Sequence, residues 1–316
     1  MKWIDKSKDP YKADADAVVL DFLNNCCLNA HGRYENIRYD KKRDSGHNPC
    51  FCSAEAGSYR KRFTQILVDS QDGYCCYCMR KLKTYQVEDS DELITREHII
   101  PRAYSIAETP HAKILFYQQC LELSPDKVVM TDHFEDSSHD QSNDLPPFPH
   151  KVAYNNIVAS CNGTFPYVRN GNMGKSKICC NEYRKEKEAY PVYFIRGIEG
   201  MIDYRPSGDI QALHSIDADC QQKITTVIAN ANLDCDPLKD IRHLWYLLSG
   251  LPKERIYSCN TESKRDRLFT ETLYKTSLFE NDRTSHLHEN FMKEDFWNTF
   301  MLYDYFYDVF SKMHQR

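Results

Sequence analysis

Apolar and polar positions follow two different rhythms along this chain. From Ala13 to Leu28, residues Val18, Val19, Leu20, Phe22 and Leu23 recur at the three- and four-residue spacing of an amphipathic helix. The same period returns over Ala54–Val68. There Tyr59, Phe63, Ile66 and Leu67 share one side, Arg60, Lys61 and Arg62 point to solvent, and the Asp72-Gly73 turn signal closes the segment. Leu93 to Ile100 is a half-apolar, β-branched run stopped by Pro101, which predicts a strand. Ala107 to Leu123 predicts a helix, Tyr154 to Cys161 a second ordered segment, and Cys179 to Glu188 a helix opening with Asn181 near its start. Past Pro191 the pattern predicts a strand pair, Tyr193–Ile195 with Met201–Tyr204, and then a turn at Pro206-Ser207-Gly208-Asp209. Ile224 to Leu248 reads as helices, and Phe291 to Met313 as one aromatic-rich helix.

These elements predict an α+β fold that is mostly helical. An N-terminal helical region covers residues 1–72, a central core 73–190, and a mainly helical C-terminal region 191–316. Two polar stretches, at about 105–150 and 162–178, interrupt the core as insertions. No internal repeat is visible. The 316 residues, 41% apolar and 28% charged, suit a globular chain and exclude a disordered one. No apolar run approaches the roughly 18 residues of a membrane span. The start, Met1-Lys2-Trp3-Ile4-Asp5-Lys6, is too polar for a secretory leader, so a cytoplasmic location is expected. The net charge of −5 excludes a uniformly basic nucleic-acid binder. However, residues 105–150 hold eight acidic side chains against two lysines, which leaves the remainder close to neutral.

Fourteen cysteines in a reducing compartment point to metal binding rather than disulfides. Cys75-x-x-Cys78 supplies two thiolates of a tetrahedral zinc site, and Cys161 with Cys180 supplies the other two. Cys76 and Cys179 are the neighbouring alternatives, and unpaired buried cysteines are the plain one. A site closed by four thiolates leaves no open position, so such a zinc is structural. Cys26-Cys27 with His47-x-x-Cys50-x-Cys52 is a second, less regular candidate. Glu97-His98 ends the predicted strand. A carboxylate there can hold a divalent cation, and the imidazole on the other side of the strand can take a proton from water. Taken alone, most such pairs are surface residues.

In order, the chain carries Cys75-x-x-Cys78, Glu97-His98-Ile99-Ile100-Pro101, Asn156-Ile157-Val158-Ala159-Ser160-Cys161 and Cys180-Asn181-x-x-Arg184-Lys185. This succession resembles the HNH endonuclease superfamily in its zinc-knuckle form, over residues 74 to 188. The resemblance implies a ββα-metal core. In it Glu97, where the family often has Asp, and Asn181 ligate a catalytic Mg²⁺ or Mn²⁺. His98 is the general base, Asn156 orients the loop that carries it, and Arg184 or Lys185 holds a phosphate. Cys75, Cys78, Cys161 and Cys180 hold a structural Zn²⁺.

A finer resemblance is to the PtuB-type HNH proteins of Septu and retron-associated anti-phage systems. It rests on Lys2-Trp3-Ile4-Asp5-Lys6, the helix before Gly73, and Ile228-Ala229-Asn230-Ala231-Asn232-Leu233 with Leu238 and Arg242. It implies a nuclease effector, an ATPase partner of the PtuA type and an oligomeric assembly. DNA is the superfamily's default substrate, and RNA such as tRNA is the alternative. A non-catalytic zinc-binding adaptor, or an HNH restriction or toxin nuclease, are the competing readings. The basic runs Arg60-Lys61-Arg62 and Arg80-Lys81-x-Lys83 are either phosphate contacts or solvated faces. The C-terminal aromatic stripe is either core or a partner face.

Overall fold

A computed structural model of the chain describes residues 1–8, 10–26, 57–82, 94–101, 110–123, 152–165, 178–185, 187–273 and 282–314. Most of both expected insertions lies outside the described residues, as do Cys27, His47, Cys50, Cys52 and Lys83. The N-terminal periodicity produces two helices, α1 (Tyr11–Cys26) and α2 (Gly57–Ser70), which pack together. Phe22 of α1 meets Tyr59 of α2 edge-on at 5.6 Å. Phe63, Leu67 and Val68 turn the rest of the α2 stripe inward. The chain leaves α2 through Asp72 and Gly73, both at positive φ, where glycine carries no steric cost.

The predicted strand is β1 (Ile94–His98), and α3 (His111–Glu122) follows it. A single 3₁₀ turn, Tyr154–Asn156, leads into β2 (Ile157–Cys161). The two strands pair antiparallel, from Ile94 opposite Cys161 to His98 opposite Ile157. All five residues of β2 are buried, with α2 and the short α4 (Cys180–Arg184) packed against it. The sequence predicted a longer helix here. It stops at Arg184 because Lys185 takes a positive φ of 47° and cannot continue the spiral.

Two expectations for the C-terminal region are corrected. Tyr193 does not lie in a strand. It sits in a buried 3₁₀ turn, Val192–Phe194, closed by the Phe194 N–H donating to the Pro191 carbonyl. β3 (Ile202–Tyr204) pairs instead with β4 (Ile210–Ala212), across the Pro206-Ser207-Gly208-Asp209 turn. Gly208 has φ +89°, and a Cβ there would come within 2.0 Å of the Lys239 carbonyl oxygen, so this turn and the next helix require glycine.

Helices α5 (Ala218–Asn230) and α6 (Asp236–Leu248) follow as expected. Asp217 caps α5 by accepting from the Cys220 N–H at 2.8 Å. α7 (Lys253–Tyr257) and α8 (Glu262–Leu273) had no counterpart in the sequence reading. The expected single aromatic helix is three: the end of α9 (Asp282–Met292), α10 (Glu294–Phe300) and α11 (Tyr305–His314). The 3₁₀ turn Met301–Tyr303 separates the last two, and there the Leu302 carbonyl accepts the Lys81 N–H at 2.7 Å instead of continuing a helix. The aromatic stripe is core: Phe296, Phe300, Tyr303, Phe306 and Phe310 are all buried. Trp245 of α6 stacks on Phe300 at 4.3 Å and donates its indole N–H to the Phe300 carbonyl. One apolar cluster runs from Met1 to Phe310 through all three regions. Among the described residues no helix is long and apolar enough to cross a membrane.

Candidate metal centre and the strand-end site

The two halves of the cysteine motif meet. The sulfurs of Cys75, Cys78, Cys161 and Cys180 all lie within 4.8 Å of one another, and all four residues are buried. Cys78 and Cys161 stand 3.6 Å apart, Cys75 and Cys180 3.9 Å. Thiolates about 2.3 Å from a tetrahedral zinc stand about 3.8 Å from one another, so the cluster could hold such an ion. Cys75, Cys76, Cys78, Cys161, Cys179 and Cys180 are all free of disulfides, and Cys76 and Cys179 fall outside the group of four.

The local chain explains the convergence. Tyr74 bridges to Lys81, the Arg80 carbonyl accepts the Cys75 N–H, and Met79 turns at φ +63°, so Cys75 and Cys78 face one point. Cys161 ends β2. Two residues on, Gly163 takes φ +76°, and a Cβ there would overlap the Cys179 carbonyl oxygen at 1.7 Å. That close approach, with the Cys179 N–H donating to the Gly163 carbonyl at 3.0 Å, returns Cys180 to the cluster across the intervening segment. The Cys161 N–H points at the Cys75 sulfur at 3.3 Å, as donors to a thiolate do.

Burial pushes the Cys78 thiol up, but hydrogen bonds from Cys161, Cys179 and Cys180 bring it down to about 5. Burial holds Cys179 and Cys180 well above the usual thiol range. The thiols therefore share protons that a metal ion would displace.

Arg80 is neither a phosphate contact nor part of a solvated face. It is 4% exposed and donates to the Thr164 carbonyl at 3.0 Å. Burial works against its charge, while Tyr303, Cys161 and Cys78 favour it. Its cation offsets the negative charge of a four-thiolate site. The other basic runs differ. Lys81 pairs with Asp304 at 3.1 Å, and Arg62 with Asp21 at 3.3 Å on the surface.

The edge of β2 that faces away from β1 is completed by side chains and by the Cys76 N–H, which donates to the Ala159 carbonyl at 3.2 Å, rather than by another strand. Lys6, fully buried, donates to the Ile157 carbonyl at 2.7 Å and lies over the Tyr154 ring. Gln71 accepts the Ala159 N–H at 2.7 Å and donates to the Ala159 carbonyl at 2.9 Å. The Cys75 sulfur takes the Cys161 N–H. Burial pushes the Lys6 ammonium well below the usual lysine range.

At the far end of the strand pair lies the Glu97-His98 site. His98 is the last residue of β1 and half-buried, and Glu97, one residue earlier, is 4% exposed. Asn156, fully buried, accepts the Ile100 N–H at 2.8 Å and donates to the Ile100 carbonyl at 3.0 Å. Its own carbonyl accepts the Ile99 N–H at 3.0 Å. Asn156 thus fixes the two residues that follow His98, Ile100 through its side-chain amide and Ile99 through its backbone carbonyl.

Arg184 contacts the Glu97 carboxylate through one guanidinium nitrogen. Asn181 lies one helical turn earlier on α4, on the face that Arg184 turns toward Glu97. Lys185 points elsewhere. It is exposed and lies 3.6 Å from Glu182. Arg184 and Glu97 are therefore brought together, Asn181 shares the short helix with Arg184, and Lys185 lies apart.

Set against protein-family models, curated proteins and solved structures, the chain matches none. Lys6, Gln71 and Gly163 were not named as site residues from sequence, and Arg80 was named only as a phosphate contact or part of a solvated face. Of these only Gly163, two positions past Cys161, carried a local signal.

Proposed function

We propose that the protein is a metal-dependent HNH-type endonuclease that hydrolyses phosphodiester bonds of nucleic acid, DNA in preference to RNA. The observation that supports this reading best is the Asn156 amide locked onto Ile100. A buried side chain spent on fixing the loop directly after a Glu-His pair is an arrangement that positions an imidazole. Glu97 and Asn181 offer the oxygen donors that suit Mg²⁺ or Mn²⁺. Bound there, the ion supplies charge neutralisation at the phosphate and the leaving oxygen. His98, as neutral imidazole, accepts the proton of the attacking water. Asn156 keeps His98 in place, and the four-cysteine cluster ties β2 to the knuckle. The role as effector of an anti-phage system with a PtuA-like ATPase partner rests on the sequence resemblance alone.

A second reading has one observation in its favour. Glu97 is engaged by Arg184, as a carboxylate in a non-catalytic zinc-binding adaptor would be.

The test is cleavage of plasmid DNA and total RNA with Mg²⁺ by the wild type and His98→Ala. The nuclease reading expects product from the wild type and a loss of about 10²- to 10⁴-fold in the variant. Zinc content and melting temperature should not change. Equal product from both would overturn it, and silence from both, with the ATPase partner present, would leave the adaptor.

A further inference from the structure

We propose that Arg184 is a built-in counter-cation that competes with the catalytic metal for Glu97, so that loading the ion frees Arg184 for the substrate phosphate. The inference rests on the nuclease reading above and adds an order of events to it. The side chains of Glu97 and Arg184 are 4% and 15% exposed, so the carboxylate is withdrawn from water and cannot be left bare without a large desolvation cost. In the metal-free state Arg184 supplies the compensating charge.

The rest of the guanidinium is loosely held. One nitrogen donates to the Lys187 carbonyl at 3.1 Å, and Nε has no hydrogen-bond partner among the described residues. Glu97 is thus the principal anchor of this cation, and a divalent ion that takes Glu97 removes it. Two cations cannot share one buried carboxylate at low cost, because their mutual repulsion is strengthened where water is excluded. The freed guanidinium has the planar fork that matches a phosphate, and it leaves from the same helix face that carries Asn181. Ion and phosphate would then load cooperatively. A phosphate that draws Arg184 away tightens the ion, and by linkage the ion tightens the phosphate.

The test is Mn²⁺ binding to the zinc-loaded protein, read from the electron paramagnetic resonance of free Mn²⁺ without any substrate. Arg184→Gln is expected to bind Mn²⁺ about tenfold more tightly than the wild type, and Glu97→Gln to abolish binding in both backgrounds. With its zinc kept in place and no Mn²⁺ added, Arg184→Gln should also melt lower than the wild type, and it should gain more from added Mn²⁺. If Arg184→Gln does not fold, Arg184→Met carries the comparison, because it keeps most of the aliphatic stem without the charge and should also bind Mn²⁺ more tightly. Equal affinity in wild type and arginine variants, all dependent on Glu97, would overturn the competition and leave the metal site standing. Mn²⁺ binding that is absent, or indifferent to Glu97→Gln, would overturn the metal site itself.

Discussion

The two ends of the β1–β2 pair are built from the same ladder and treat charge in opposite ways. At the Ile94–Cys161 end, four thiols from three separate segments converge, and the chain provides every ligand, the N–H donor to Cys75 and the balancing Arg80. At the His98–Ile157 end, the buried Glu97 carboxylate pairs with Arg184, which comes from the short helix that also carries Asn181. The first end is complete and closed, which is how structural metal sites are built. The second holds a buried carboxylate paired with a guanidinium, and on the nuclease reading proposed above that pair is where a metal ion and a phosphate would exchange places. The difference teaches that burial alone does not separate structure from function here. Both ends are buried, and what differs is the chemistry gathered there, four thiols from three segments at one and a carboxylate–guanidinium pair at the other.

The comparison breaks most visibly if the closed end is opened. Cys78→Ser should cost most of the folding free energy, because structural zinc contributes on the order of 10 kcal/mol or more to small metal-tied folds. The expected result is loss of bound zinc and of the cooperative melt. A chelator should reproduce it in the wild type, and retention of the melt would show that the cluster is ordinary core. The same experiment on Cys179, which lies outside the four, should retain zinc.

The open end should respond differently. Asn156→Ala removes both hydrogen bonds to Ile100 and leaves a buried N–H and carbonyl unpaired, a cost of about 2–4 kcal/mol. Zinc content should stay at one per chain. If the Asn156 amide positions His98, nuclease activity should fall by more than the loss of folded protein, measured by urea melts and cleavage on the same samples. A fall no larger than the folded fraction would make Asn156 a stabilising residue only.

What the sequence made legible was the chemistry whose spacing is short or ordered. Cys75-x-x-Cys78 announced a knuckle, and the order Glu97-His98, Asn156, Cys161, Cys180 placed the other parts although long stretches separate them. What stayed hidden was every contact made only by tertiary packing. Gln71 reads as an ordinary residue at a helix end, yet it completes the edge of β2. Lys6 reads as one of the charged residues that make the start too polar for a leader, yet it is buried against the Tyr154 ring. The strand pair at Tyr193–Ile195 failed because local β-propensity gave way to a 3₁₀ turn after Pro191, while the Pro206-Ser207-Gly208-Asp209 turn made a better hairpin. The last helix broke where its carbonyl was needed by Lys81, which no local pattern encodes.

That break yields the smallest of the expected effects and a check on how the C-terminal region supports the closed end. Asp304, just after the 3₁₀ turn, accepts from Tyr74 at 3.1 Å, Lys81 at 3.1 Å and Tyr257 at 2.8 Å, while Tyr303 beside it lies 3.7 Å from the Cys78 sulfur. Burial pushes the Asp304 carboxyl up, but hydrogen bonds from Tyr257, Lys81 and Tyr74 outweigh it and hold the group below its ordinary value. The unfolded chain therefore takes up the proton first as pH falls. The stability from Asp304 is fully present above the unfolded carboxylate value, about 4, and is lost only below it. Asp304→Asn should cost about 2 kcal/mol in urea melts at neutral pH. The penalty should stay constant from pH 8 to 5, a window that avoids protonating the carboxylate. A penalty that grows between pH 6 and 5 would mean that burial dominates and the folded value is raised. The contact between the C-terminal turn and the knuckle would then be a cost to the fold rather than one of its supports.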